Sequence, residues 1–171
     1  MRKLVAVMMM IGMVAIAWPG EAEAQRPDGL GVGLGYGTGV SGVSLKSHQG
    51  DNALQGVIGC WGYNCAGIGV SGDYLFSMST LADEGSVRVA WNLGFGAAAG
   101  IWPGSSWSNR PGRWGDRSGN LWLAGQFVAG LEFIFPEIPI DVVLEWRPSL
   151  RVMPAAGFRF DHAGFHVRYY F

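Results

Sequence analysis

Hydrophobic and polar positions alternate along most of this chain, most regularly in its last ten residues, 162–171. One set of alternate positions is apolar: Ala163, Phe165, Val167, Tyr169 and Phe171. The other set is polar or small: His162, Gly164, His166, Arg168 and Tyr170. Because successive side chains of a strand point to opposite faces, the pattern predicts a strand with one apolar face and one polar face. It is typical of the closing strand of an outer-membrane β-barrel, although the last strand of a soluble sandwich would also alternate.

The same pattern predicts seven earlier strands, separated by short turns or longer connections. Their approximate ranges are 30–36, 43–46, 53–59, 66–77, 87–101, 121–135 and 141–147. With the last strand the count is eight, an even number that lets both chain ends lie on one side of a barrel. The sequence therefore predicts an all-β fold, an eight-stranded antiparallel up-and-down transmembrane β-barrel.

The predicted connections fit this orientation. If the chain ends lie in the periplasm, the longest connection, 103–120, falls outside the cell, and the short turns at 50–51, 82–85 and 136–137 fall inside. Aromatic residues collect at the predicted inner rim: Tyr74, Phe76, Phe133, Phe135, Tyr169 and Phe171. Trp102 and Trp146 lie near the predicted outer rim. Such belts are typical of membrane interfaces, which favours the membrane barrel over the soluble sandwich.

The alternation changes phase once, close to the C-terminus. Phe158 and Phe160 are apolar at even positions, whereas the closing strand is apolar at odd positions. A β-bulge near Asp161 would absorb this change. Alternatively, the segment stands above the bilayer.

The first 24 residues predict a cleaved signal peptide. Arg2 and Lys3 precede an uncharged apolar run over residues 4–18, and Ala22-Glu23-Ala24 supplies the small-x-small pattern of a cleavage site. The run is too short for a good membrane-spanning helix, although a retained anchor is the alternative. The predicted organisation is a signal peptide, 1–24, followed by one barrel domain, 25–171.

The balance of charges bears on whether nucleic acid is a partner. The chain has 12 basic and 13 acidic side chains, and cleavage would remove Arg2, Lys3, Glu21 and Glu23, which leaves ten and eleven. This balance gives no reason to expect nucleic acid as a partner. No later stretch is apolar for long enough to predict a transmembrane helix, so a membrane-embedded form would have to be a closed barrel.

The C-terminal third also carries a resemblance. The segment 139–145, Pro148, Pro154, Gly157-Phe158 and the final Val167-Arg168-Tyr169-Tyr170-Phe171 are similar to the end of a family of small outer-membrane barrels first noticed in spirochaetes. The resemblance implies an eight-stranded barrel of the kind formed by the membrane domain of OmpA. It implies no catalytic residues. This chain departs from the family in its cysteine pair and its tryptophan-rich loop.

The two cysteines predict a disulfide. Cys60 and Cys65 lie at the predicted tip between strands three and four, in an oxidising compartment, where they can approach within bonding distance. Free thiols are the alternative. A metal site would need more ligands than two thiols, so no metal or other cofactor is predicted.

The ionisable residues on the predicted inner face are Lys46, Asp73, Arg88, Glu132, Asp141, Glu145, Arg147, His166 and Arg168. Buried charges are costly unless they pair, and side chains fill the interior of an eight-stranded barrel. We therefore predict a polar network that plugs the barrel, built from Arg88, Glu132, Glu145 and Arg168, with Glu145 and Arg168 adjacent. A pore is the alternative, because inward glycines on strands one, four and five leave room for a narrow cavity or a lipid tail.

The three histidines are His48, His162 and His166. An enzyme interpretation would follow the barrels that modify lipid A with a histidine, a hydroxyl and a carboxylate at the membrane rim. The nearest candidate is Asp161-His162, with Ser149 in possible reach. Nothing in the sequence fixes the geometry that nucleophilic catalysis requires. We therefore predict that His162 is a structural rim histidine and that the chain is not an enzyme.

The predicted outer loop, 103–120, contains the candidate ligand-binding residues: Trp107, Arg110, Arg113, Trp114 and Arg117. Arginine forks bind phosphate, and indole rings stack on sugars or anchor in a partner protein. Lipopolysaccharide, a glycan or a surface protein are the candidate targets. A solvated loop with tryptophans at the rim is the alternative.

The sequence thus predicts an outer-membrane protein of a Gram-negative-type cell with a structural or surface-binding role. Its expected partners are outer-membrane lipid and the barrel-assembly machinery, which would recognise the C-terminal strand that ends in Phe171. The alternative is a narrow channel or a lateral route for small apolar molecules. A lipid-modifying enzyme is the third possibility.

Overall fold

The computed structural model describes residues 29–61, 65, 67–101 and 121–171, which fold as an all-β domain. Its strands are β1 (Leu30–Gly37), β2 (Val40–Gln49), β3 (Asn52–Trp61), β4 (Ile68–Asp83), β5 (Arg88–Ile101), β6 (Leu121–Phe135), β7 (Ile140–Trp146), β8 (Ser149–Met153), β9 (Gly157–Arg159) and β10 (Ala163–Tyr170). No helix within these residues is long and apolar enough to cross a membrane.

The strands close into an antiparallel barrel. Each strand from β1 to β6 pairs with the next, β7 pairs with β10, and β10 pairs with β1. β8 extends β7 along β6, and β9 pairs with β8, so the ring has eight positions. The predicted eight-stranded antiparallel barrel is confirmed. We call the end that holds Leu30 and Phe171 the terminal end, and the end that holds Thr38 and Cys60 the loop end.

Two positions of the ring are interrupted near the loop end: one is formed by β7 and β8, and the other by β9 and β10. The β7–β10 ladder stops at Trp146 and Ala163, and the β8–β9 ladder starts at Ser149 and Arg159. Residues 160–162 therefore lie opposite residues 147–148, with one extra residue on the C-terminal side. This is a β-bulge, which reverses the face on which the following side chains point. A bulge near Asp161 is one of the two alternatives that the change of phase in the sequence left open.

The turns lie close to their predicted positions, but several strands are longer than predicted, most of all β2 and β4. β2 begins at Val40, directly after the turn at 38–39, and β4 runs to Asp83. Two register shifts between Ser77 and Ala82 accommodate the additional length of β4 against β5. Gly50, in the turn between β2 and β3, has a φ of 60°, which glycine adopts without a steric penalty.

The polarity of the barrel is inverted relative to a soluble protein. Among the described residues, with glycine and proline left aside, 15 polar or charged residues and 12 apolar ones are buried. Large apolar side chains are exposed on every strand, and Leu34 on β1 is 70% exposed. The outer face of the barrel is thus largely apolar, and its interior is largely polar.

Candidate functional site

Ion pairs and hydrogen bonds fill the middle of the barrel interior. Arg168 donates from Nε to Oδ1 of Asp141 at 3.0 Å, and Tyr170 donates its hydroxyl to Oδ2 of the same carboxylate at 2.8 Å. Nζ of Lys46 lies 2.6 Å from Oε1 of Glu132 and 3.8 Å from Oδ2 of Asp141. Each of these buried charges thus faces an opposite charge, which offsets the cost of removing it from water.

A second group surrounds Glu145 on β7. Its Oε1 accepts from Nε2 of Gln55 at 2.9 Å, and its Oε2 accepts from Nε2 of His166 at 3.0 Å. Nε of Arg147 lies 2.7 Å from Oε2 of Glu145, as an ion pair without a well-aligned hydrogen bond. The same guanidinium pairs with Asp73 on β4. One cation is therefore held between two carboxylates from opposite parts of the ring.

Gln55 links the two groups, because its oxygen accepts from Nη1 of Arg168 at 2.5 Å while its nitrogen donates to Glu145. The predicted direct contact between Glu145 and Arg168 was wrong. The β7–β10 register places Arg168 opposite Asp141 and Glu145 opposite Gly164. Alternation gives the face on which a side chain lies, but it does not give the height of that side chain along the barrel.

Three of the four residues predicted for the network, Glu132, Glu145 and Arg168, are buried. Arg88 lies at the terminal end of β5 and forms an ion pair with Asp83 across the β4–β5 connection at 2.7 Å. The other inward residues predicted from the sequence are also buried: Lys46, Asp73, Asp141, Arg147 and His166. Sequence reasoning missed Gln55 because only ionisable groups were considered. Because Leu54 points outward on β3, the next residue, Gln55, must point inward, and this alternation would have identified Gln55 as an interior residue.

Inward glycines accommodate large side chains. A Cβ added to Gly31 on β1 would lie 2.7 Å from the ring of Tyr170, and one added to Gly69 on β4 would lie 3.2 Å from the ring of Trp122. The indole of Trp122 also covers Gly100 on β5. At these glycines, opposing side chains occupy the space that the alternative interpretation assigned to a narrow cavity or a lipid tail.

Ser44, His166 and Glu145 have the relative arrangement of a nucleophile, a base and an orienting carboxylate. Oγ of Ser44 lies 3.1 Å from Nδ1 of His166, whose Nε2 contacts Glu145. Serine hydrolases use the same sequence of contacts. Ser44 is 0% exposed, however, and its hydroxyl also lies 3.5 Å from Nη1 of Arg168. This trio is sealed inside the network and holds the barrel together.

An apolar cluster fills the loop end of the interior. It consists of Val40, Val57, Ala98, Trp122 and Ala124, with Trp61 packed against it. The ring centroids of Trp61 and Trp122 are 3.7 Å apart. Cys60, next to Trp61, forms a disulfide with Cys65, as predicted. The bond joins the two sides of the β3–β4 connection beside this cluster.

Ser149 and His162 meet at the bulge near the loop end. Oγ of Ser149 lies 3.0 Å from Nδ1 of His162, and the two residues are 5% and 9% exposed. The backbone N–H of Arg147 donates to the carbonyl of His162 at 2.8 Å, and the ring of Trp61 meets the imidazole edge-on. Burial lowers the pKa of His162, and the positive charge of Arg159 lowers it further. The imidazole is therefore neutral at neutral pH.

The neighbouring carboxylate points elsewhere. Asp161 is exposed and accepts two hydrogen bonds from Arg159, at 2.8 and 2.7 Å. These bonds lower the pKa of Asp161 to about 2. Of the three groups in the enzyme interpretation, the structure thus brings the hydroxyl and the histidine together, and it pairs the carboxylate with an arginine.

The candidate ligand-binding residues of the outer loop lie outside the described residues: Trp107, Arg110, Arg113, Trp114 and Arg117. The predicted signal peptide, 1–24, lies outside them as well. Within the described ranges, no group of three or more His, Cys, Asp or Glu side chains is arranged to hold a metal ion.

The chain was compared with protein-family models, with curated proteins and with solved structures, and none of them matches it. The resemblance to the spirochaete barrels therefore stays a prediction from the C-terminal residues.

Proposed function

We propose that this chain is an outer-membrane β-barrel that acts as a closed, rigid scaffold and presents its loops at the cell surface. The observation that carries the proposal is the inverted polarity of the barrel. Leu34, Phe95 and Leu144 are exposed on the outer face, whereas Lys46 and Glu132 form an ion pair inside. Soluble monomers rarely expose a continuous apolar surface of this kind, whereas strands in lipid require it.

Aromatic residues at the terminal end support a membrane interface there. The register places Phe135, Ile140 and Tyr169 side by side on β6, β7 and β10. The ring of Tyr169 contacts that of Phe171 at a centroid distance of 5.0 Å. Aromatic rings with polar edges favour the boundary between hydrocarbon and water. The exposed Phe171 is also the residue that we propose for recognition by the barrel-assembly machinery.

The filled interior favours a scaffold over a channel. The side chains of Arg168, Lys46 and Tyr170 cross the middle of the barrel, and the rings of Trp61 and Trp122 pack against each other at the loop end. A barrel with eight ring positions has an interior that side chains alone can fill. The network also links β2, β3, β6, β7 and β10, which makes it suited to hold the wall rigid.

The proposal can be tested with a fluorophore that reports contact with lipid. The label is attached to a cysteine at position 34 (Leu34→Cys) or, as a control, at position 161 (Asp161→Cys), and the protein is placed in vesicles of brominated phospholipid. We expect strong quenching at position 34 and weak quenching at position 161. If aqueous iodide quenches both labels and brominated lipid quenches neither, the outer face does not lie in lipid.

The surface-binding part of the proposal concerns the loop at 103–120 and makes a separate prediction. Replacing Arg110, Arg113 and Arg117 with Ala should abolish binding of the folded protein to lipopolysaccharide. Binding by the unchanged chain should weaken with added salt, because exposed charges are screened over about 10 Å at 0.1 M ionic strength. Binding is measured on immobilised lipopolysaccharide and on a glycan panel.

Two controls separate the loop from the barrel. Replacing Trp107 and Trp114 with Ala should weaken binding at every salt concentration, because stacking is little screened. All variants should keep the heat-dependent gel shift of a folded barrel. If the unchanged chain and a chain with the loop cut to a Gly-Asn turn bind equally, the loop is only a solvated connection and does not bind the ligand.

A further inference from the structure

We propose that the disulfide between Cys60 and Cys65 is a redox-sensitive clamp, which a dithiol at the loop end opens and which, once open, releases Trp61 from Trp122. The proposal goes beyond the scaffold role, because it gives the loop end two states. Only the side of the membrane from which the dithiol arrives rests on the proposed location. The clamp itself is a property of the folded barrel.

The first argument is access. Cys65 is exposed, and Cys60 is half-buried at the end of β3. A thiolate must reach a sulfur atom to exchange with a disulfide, and the exposure of Cys65 meets this requirement. The cluster below is closed to such a reagent, since Val57 and Trp122 are each 1% exposed. The disulfide is therefore the part of the loop end that a reductant in solution can attack.

The second argument is strain in the backbone. Cys65 has a φ of 47°, and among the residues that the structure describes it is the one residue other than glycine with a positive φ. In this left-handed region the Cβ of an ordinary residue lies too close to the neighbouring carbonyl oxygen. Opening the disulfide lets Cys65 leave this conformation, because the bond fixes its position relative to Cys60. Exposed or strained disulfides are the ones that are reduced most readily, and this one ends in a residue that is both.

The third argument is what the clamp holds. The β3–β4 ladder ends with the pair of Cys60 and Ile68, and a backbone hydrogen bond from the N–H of Trp61 to the carbonyl of Gly67, at 2.9 Å, follows it. The disulfide joins the two sides of this connection covalently, directly beside Trp61. Strand ends open more easily than strand centres, so the loss of this tie frees Trp61 to move.

Trp61 carries the change into the barrel. The centroid of its ring lies 3.7 Å from that of Trp122, and its ring meets His162 edge-on at 6.4 Å. Trp122 is the second residue of β6, which begins directly after the predicted outer loop. A movement of Trp61 therefore alters the contacts of Trp122 where β6 starts. The ion pair between Arg168 and Asp141 lies deeper, in the middle of the barrel, and should keep its arrangement.

The reaction is thiol–disulfide exchange. A thiolate of the dithiol attacks Sγ of Cys65, the bond between the two cysteine sulfurs breaks, and Cys60 leaves as a thiolate that takes up a proton. The second thiolate of the reagent attacks the reagent's own sulfur in the mixed disulfide, and Cys65 leaves as a thiolate that also takes up a proton. Two electrons pass from the dithiol to the cysteines, so the dithiol is oxidised to a disulfide and both cysteines become thiols.

The test uses the purified full chain, folded in detergent and labelled with fluorotryptophan, so that each indole gives a fluorine NMR signal. Dithiothreitol is the dithiol, and iodoacetamide followed by mass spectrometry counts the free thiols. We expect both cysteines of the folded barrel to be alkylated and the signals of Trp61 and Trp122 to shift. The variants Trp61→Phe and Trp122→Phe assign these two signals. Trp146, whose Nε1 donates to the carbonyl of Phe160 at 2.7 Å, is the matched control, and its signal should stay in place.

A further variant mimics the reduced chain. The double change Cys60→Ser and Cys65→Ser should give the signals of Trp61 and Trp122 that the reduced chain gives, and dithiothreitol should not move them. The heat-dependent gel shift, measured with and without dithiothreitol, shows whether the barrel stays folded. If the double variant does not fold, the titration of the unchanged chain still decides.

Two results would overturn the proposal. One is that the cysteines react with iodoacetamide only after the barrel unfolds, which would make the disulfide purely structural. The other is that both cysteines are alkylated in the folded barrel while the signals of Trp61 and Trp122 stay in place. A chain that proved soluble would end the membrane proposal, and the same titration would still decide the role of the disulfide.

Discussion

Replacing Arg168 with Met should lower the free energy of unfolding by about 3–5 kcal/mol, the usual cost of leaving one member of a buried ion pair without its partner. The guanidinium contacts Asp141 and Gln55 in the middle of the barrel. Met has a similar length but no charge, so the carboxylate of Asp141 would lose its nearest buried cation. The measurement is urea unfolding of the chain folded in lipid vesicles, followed by tryptophan fluorescence.

The matched control is Arg159→Met, because Arg159 forms an ion pair with Asp161 at the protein surface. A surface ion pair is weakened by water and salt, so this variant should unfold almost as the unchanged chain does. Combining Arg168→Met with Asp141→Asn should cost less than the sum of the two single changes, because the residues are in contact. Strictly additive effects, or equal losses for the two arginine variants, would contradict the interior network.

Replacing Leu34 with Arg should cost about 2–4 kcal/mol in vesicles, the range for a cation on the lipid face near the bilayer midplane. Leu34 is 70% exposed and lies in the middle of β1, paired with Val43 on β2 and Val167 on β10. In the membrane location that we propose, a guanidinium there would lie in hydrocarbon without a partner. The free energy of unfolding is measured in the same urea experiment.

Leu81→Arg is the control for this prediction. Leu81 is 59% exposed, but it lies on the part of β4 that runs past the β2–β3 turn, since Phe76 already pairs with Asn52 next to that turn. A charge near or beyond the interface costs about 0–1 kcal/mol. A small effect at both positions is the result expected of a soluble barrel, in which surface changes stay within about 0.5 kcal/mol.

Much of the architecture could be predicted from the sequence because the side-chain period of a strand is two. The alternation of Val43 and Leu45 with Ser44 and Lys46 separates exposed from buried positions on β2 as the structure has them. The change of phase at Phe158 indicated the bulge, which the β8–β9 register shows. The cysteine spacing at a hairpin tip predicted the disulfide.

The contacts between strands could not be predicted in the same way. Which residues meet depends on the stagger between strands, and alternation alone does not exclude a shift of two residues, because such a shift leaves every side chain on the same face. Arg168 was therefore assigned to Glu145, although the register places it opposite Asp141. The contact between Ser149 and His162 could not be predicted for the same reason, because it depends on the register at the bulge. The inward glycines left a narrow cavity open as an alternative, since the sequence does not show which opposing side chain fills the space beside each glycine.

The central claim is that the folded chain lies in the outer membrane with its apolar face in lipid. Cells that express the full chain are fractionated, and each fraction is run on a denaturing gel with and without heating. The account predicts that the chain is in the outer-membrane fraction and that its band shifts on heating, because a closed barrel resists unfolding by detergent until it is heated. Recovery of the chain from the soluble periplasm, with the same mobility before and after heating, would contradict the account.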